Sequence, residues 1–222
     1  MKKTPMLMRG GLAKATLAGV KTQTRRLNGL KKINVEPDRW KLVKTDIVNK
    51  GKKQGCFFAI WRFDGGDIFV EHCPYGGPED EIWVREAWRT ETSDWDALPP
   101  SQMDQDFAVA NNMILYDADA DWRQNKTVGK SRPSIHMPAK FSRLTLRIRE
   151  VDVQRIQDIN GKDCCAEGVR FIGLNDGPPL RGDMYKETKQ KFTKLWNLIN
   201  PENNWSKNPW VWVIKYKMEK NV

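Results

Sequence analysis

"SRLTLRIREVDVQRI", residues 142–156, decides the fold. Leu144, Leu146 and Ile148 alternate with Arg143, Thr145, Arg147 and Arg149. Alternation with period two marks a strand with one buried face. The apolar phase then moves to Val151 and Val153. A one-residue slip would turn those valines outward, so the shift predicts a bulge near Arg149 and Glu150. The arginine face either lines a phosphate groove or is a solvent-facing sheet surface.

Working outward, residues 73–89, "CPYGGPEDEIWVREAWR", turn and then extend. Ile82, Val84, Glu86 and Trp88 share one face, with Trp83, Arg85 and Ala87 on the other. Glu86 therefore lies on an apolar side and must be paired or sit in a polar pocket. Toward the C-terminus, "DINGKDCCAEGV" (158–169) reads as a short helix, with Asp158 as its cap and Gly168 after its end. Glu167 falls in the last turn, against the helix dipole, which calls for a nearby cation or a small cost. In 185–199, Phe192, Leu195, Trp196 and Ile199 form the stripe of an amphipathic helix and read as core. A terminal strand follows, with Trp210, Trp212 and Ile214 alternating with Val211, Val213 and Lys215.

Near the N-terminus, "GGLAKATLA" (10–18) has helical spacing and Gly19 is placed to end that helix. "GVKTQTRRL" (19–27) then favours an extended strand. Two segments read as insertions, at about 34–75 and about 93–131. In the first, "CFFAIWRF" and "DIFVEH" flank "DGG", a hairpin signal. Its "NKGKKQG" tip (49–55) is basic: either a contact for an anionic partner or a solvated loop. The second is polar and irregular, mostly loop, and its "DADAD" run (117–121) reads as an acidic surface turn. Strands outnumber helices without a βαβ alternation, so the expected fold class is α+β, a mixed β-barrel with flanking short helices.

The 222 residues predict a single domain, 1–222, carrying both insertions. Formal net charge is +10, which points to a polyanionic partner such as nucleic acid. No apolar run approaches a membrane span and the basic start lacks a signal-peptide core, so a cytoplasmic protein is expected. Cys56, Cys73, Cys164 and Cys165 form no C-x-x-C pair. With His72 and His136 they match no compact zinc spacing, so no metal or other cofactor is expected.

The G-x-K-T-x-T-x-R pattern at Gly19, Lys21, Thr22, Thr24 and Arg26 resembles the signature of the ASCH domain family. "PEDEIWVREAW", "RPSIHMP", "QDINGKDCCAEGV", "KLWNLIN" and "NPWVWVIKY" also look like phage- and prophage-type ASCH proteins. The resemblance spans the chain outside the two insertions. It implies the PUA-like β-barrel, and an association with RNA. It further implies an amidohydrolase activity on N4-acetylcytidine, known in a small bacterial member whose site uses a Lys, a Thr and a Glu. Lys and Thr fall on Lys21 and Thr24, and Glu on Glu167, with Cys164 standing where the family has Ala.

In a regular strand Lys21 and Thr24 point to opposite faces, so they converge only if the strand begins at a turn or carries a bulge near Thr22. If they meet, Thr24 attacks or orients water, Lys21 acts as base when neutral, and Glu167 carries the proton or simply pairs Lys21. Thr22, Arg26, Glu86 and Trp88 are the candidate substrate-binding residues. Arg26 offers a planar fork for a phosphate or base carbonyl. Glu86 holds Arg26, contacts a base edge, or forms a buried ion pair. The competing function is a non-catalytic RNA- or nucleic-acid-binding module whose pocket reads an unpaired base.

Overall fold

The computed structural model describes residues 1–48, 55–103, 113–119, 127–169 and 183–219. It begins with β1 (Lys3–Leu7), α1 (Gly10–Leu17) and β2 (Gln23–Arg26). Then come β3 (Trp40–Val48), β4 (Cys56–Phe63), β5 (Ile68–His72), β6 (Glu81–Arg85), β7 (Trp88–Thr90) and β8 (Ile114–Tyr116). The chain closes with β9 (Thr145–Arg155), α2 (Gly161–Ala166), α3 (Asp183–Ile199) and β10 (Trp210–Glu219).

The alternating stretch forms the central strand β9, and the bulge falls where the apolar phase shifts. Glu150 pairs with Lys215 and Ile148 with Tyr216, which leaves Arg149 as the extra residue. Leu144, Leu146, Ile148, Val151 and Val153 are consequently all buried. Its neighbour β10 is covered on both faces along its first half. Trp212, Ile214 and Tyr216 join the main core, while Val211 and Val213 pack with Phe192 and Trp196 of α3 and Cys164 of α2.

The class is α+β, but the expected barrel closure is not found among the described residues. The main sheet runs β1-β6-β9-β10-β2, with β1 parallel to β6 and the other pairs antiparallel. β1 and β2 are short edge strands of the same sheet and α1 connects them. A side chain bridges the gap instead of a ladder: Arg26 donates to the Leu7 carbonyl at 2.9 Å.

The first insertion builds a separate β3-β4-β5 sheet that caps the core. "DGG" turns β4 into β5, as the hairpin signal predicts. Phe57 and Trp61 of β4 meet Trp212 edge-on, each with ring centroids 5.9 Å apart. Asn34 acts as a strand partner in miniature. Its amide donates to the Trp210 carbonyl and accepts from the Trp210 N–H, at 2.9 and 2.7 Å. The basic tip at 49–54 lies outside the described residues, as does the end of the "DADAD" run.

The second insertion contributes more order than its composition suggests. β7 pairs with β8, and Trp88, Met103, Ile114, Met137 and Phe141 form a small core of their own. One capping assignment needs correction. Asp158 ends a 3-10 turn, and Asn160 caps α2 by accepting from the Asp163 N–H at 2.9 Å. Asn160 has the extended backbone that a cap requires, two residues nearer the helix than Asp158. Among the described residues no helix is long and apolar enough to cross a membrane.

Candidate active site

Lys21 is positioned by the way α1 ends. Gly19 adopts φ +71° and donates to Thr16, while Val20 donates to Ala15, which closes the helix with paired capping bonds. The Lys21 N–H shares the Ala15 carbonyl, and Thr22 donates to Ala166 at the end of α2. β2 starts only at Gln23. Lys21 therefore precedes the strand and escapes its alternation, which removes the geometric conflict with Thr24.

Glu167 is positioned by the end of α2, where it forms the cap residue. Gly168 follows at φ +82°, and a Cβ there would stand 3.0 Å from Lys21 Cβ and 3.1 Å from Ala15 Cβ. Glycine thus lets the two helix ends close on each other. Lys21 Nζ donates to Glu167 Oε2 at 2.7 Å, to the Glu167 carbonyl at 3.1 Å and to the Gln23 carbonyl at 2.7 Å. These three bonds use all three ammonium protons.

The other carboxylate oxygen of Glu167 accepts from Arg25 NH1 at 2.9 Å. Arg25 also reaches Asp163 at 3.1 Å. With the Gln154 amide oxygen turned toward it, Arg25 gains two more bonds, at 2.9 and 2.8 Å. The cations that the helix end calls for are thus Lys21 and Arg25, and the Lys21, Arg25 and Glu167 side chains are all almost fully buried. Burial lowers the Lys21 pKa from its ordinary 10.5; Glu167 opposes the shift, and Arg26 and Arg25 add to it. Burial likewise pushes the Cys164 thiol up to about 12, so it behaves as a packing residue.

Lys21, Thr24, Arg25, Arg26 and Glu167 line one cavity of about 110 Å³. Because β2 is an edge strand, three consecutive residues contribute to the lining. Among the described residues the Thr24 hydroxyl has no hydrogen-bond partner. The opposite wall is apolar: Leu12, Leu27 and the α3 stripe of Phe192, Leu195, Trp196 and Ile199, with Asn28 and Asn200 beside it. That stripe reads from sequence as core alone. It packs against β10 and also faces the polar cluster. The signal available in the sequence is its length, since it runs on to Ile199, which stays 37% exposed.

Other residues singled out from sequence lie elsewhere. The Thr22 side chain is exposed and its main chain ties the loop to β10 through Tyr216. Glu86 does not hold Arg26. Both its oxygens accept from Arg143, at 2.9 and 2.8 Å, and Arg143 also pairs with Asp119. This is the buried ion pair among the readings of Glu86. Trp88 is fully buried in the small core, with Arg132 5.2 Å from its ring. The arginine face of β9 is neutralised: Arg147 pairs with Glu79, Glu81 and Glu219, and Arg149 with Glu79.

No protein-family model, no curated protein and no solved structure matches this chain.

Proposed function

We propose that the chain is an ASCH-domain protein of PUA-like fold that hydrolyses the amide of an N4-acylated cytidine or a related nucleoside. One observation carries the reading. Lys21 and Glu167, 146 positions apart, meet at 2.7 Å in a cavity that also holds an unpartnered Thr24 hydroxyl. The cavity of about 110 Å³ joins this polar cluster to the apolar stripe of α3, a combination that suits an acylated amide.

A proton first passes from Lys21 to the Glu167 carboxylate that it touches, and the neutral amine then takes the Thr24 proton as Oγ adds to the acyl carbon. Arg26, which lines the same cavity, would stabilise the developing oxyanion. The amine at cytosine N4 leaves with a proton relayed through Lys21 and Glu167, and water then releases the acid from Thr24. The apolar α3 wall receives the acyl methyl. The net charge of +10 favours the second reading, an RNA-binding module, and a polynucleotide substrate would satisfy both.

The test is hydrolysis of N4-acetylcytidine followed by absorbance, with RNA affinity measured against salt in parallel. The wild type is expected to turn over, and Lys21→Ala to fall by about 10²–10⁴-fold. Because the amine is active when neutral and burial lowers its pKa, the rate should rise with pH along a limb centred below 10.5. Lys21→Arg, always charged, should lack that limb. Tight RNA binding without turnover would replace the hydrolase reading by the binding module.

A further inference from the structure

Among the described residues three cations are buried: Lys21, Arg25 and Arg132. Lys21 and Arg25 share Glu167. Arg132, 9% exposed, has no carboxylate within ion-pair distance among the described residues. Its guanidinium donates to the carbonyls of Trp95 and Asp96, at 2.8 and 3.4 Å, and its Nε has no partner among the described residues. A guanidinium buried without a counter-ion is costly, and an anion from outside would complete it.

Arg132 lines a cavity of about 510 Å³, together with Lys130, His136, Ser101, Ser131, Pro100 and Pro133. Among the described residues no Asp or Glu lines this cavity. The nearby acids are already engaged. Asp96 accepts from the Lys130 backbone N–H at 2.9 and 3.1 Å, and Asp117 takes the Ser131 hydroxyl. None of the lining residues belongs to the Lys21 cavity.

We propose that this cavity binds the phosphate ester of a nucleotide, either free or within single-stranded RNA. The Arg132 guanidinium, the Lys130 point charge and the Ser101 hydroxyl suit phosphate oxygens. The volume exceeds that of bare phosphate, and the proline rings give the attached sugar or base an apolar surface. The site stands independently of the hydrolase reading, since it shares neither residues nor chemistry with it.

The test is amide NMR of the full chain titrated separately with inorganic phosphate, cytidine 5′-monophosphate and a short oligocytidylate. Shifts are expected at Ser101, Ser131 and His136. The exposed pair Lys130→Ala and His136→Ala, made together, should weaken oligonucleotide binding by about tenfold and reduce the salt slope by about one. A mononucleotide that binds as tightly as the strand identifies free nucleotide as the ligand; a tighter strand identifies RNA. Absence of shifts with all three phosphates, shifts confined to other residues, or equal binding by the variant would overturn the proposal.

Discussion

Glu167→Gln is expected to lower stability by about 3–5 kcal/mol, the cost of breaking a buried ion pair from one side. The substitution keeps the shape of the side chain and removes the charge that Lys21 and Arg25 share. Lys21 would keep its two carbonyl acceptors and Arg25 would keep Asp163, so the fold should survive at reduced stability. Lys21→Met should cost less, because Arg25 still compensates Glu167. Urea unfolding of the two variants measures the asymmetry. A Glu167→Gln loss under about 1 kcal/mol would mean that the pair behaves like an exposed salt bridge.

Trp212→Ala is the second large effect, about 3–5 kcal/mol of stability. Trp212 is fully buried where β10 meets the β3-β4-β5 sheet, edge-on to Phe57 and Trp61. Its indole N–H donates to the Asn28 carbonyl at 2.9 Å, and Asn28 lines the Lys21 cavity. The substitution would leave a void that neither sheet can fill and would free that carbonyl. A lower urea midpoint with an unchanged slope is the expected result; a change below about 1 kcal/mol would show that the first insertion is not part of the core.

What could be read from the sequence followed from local period and local chemistry. β9 with its bulge, the hairpin at "DGG", the α3 stripe and the covered face of β10 all rest on neighbours a few positions apart. The barrel expectation failed because closure depends on whether two short edge strands, β1 and β2, pair with each other, and no local pattern encodes that. Glu86 was legible as a buried carboxylate in need of a partner. That the partner is Arg143 rather than Arg26 depends on how the chain runs after β6 into the second insertion. Lys21, Thr24 and Glu167 were brought together by resemblance. The structure adds what resemblance could not, the Arg25 brace and the apolar wall of α3.

The proposed reaction needs the Thr24 hydroxyl to be the group that reacts beside the Lys21–Glu167 pair. Comparing wild type with Thr24→Val on N4-acetylcytidine tests it most directly, since valine keeps the volume and removes only an oxygen that holds nothing else among the described residues. The wild type is expected to release cytidine and acetate in equal amounts. The variant is expected to bind the substrate and turn over about 10²–10⁴-fold more slowly. A variant as fast as the wild type, or a wild type that binds without releasing acetate, would contradict it.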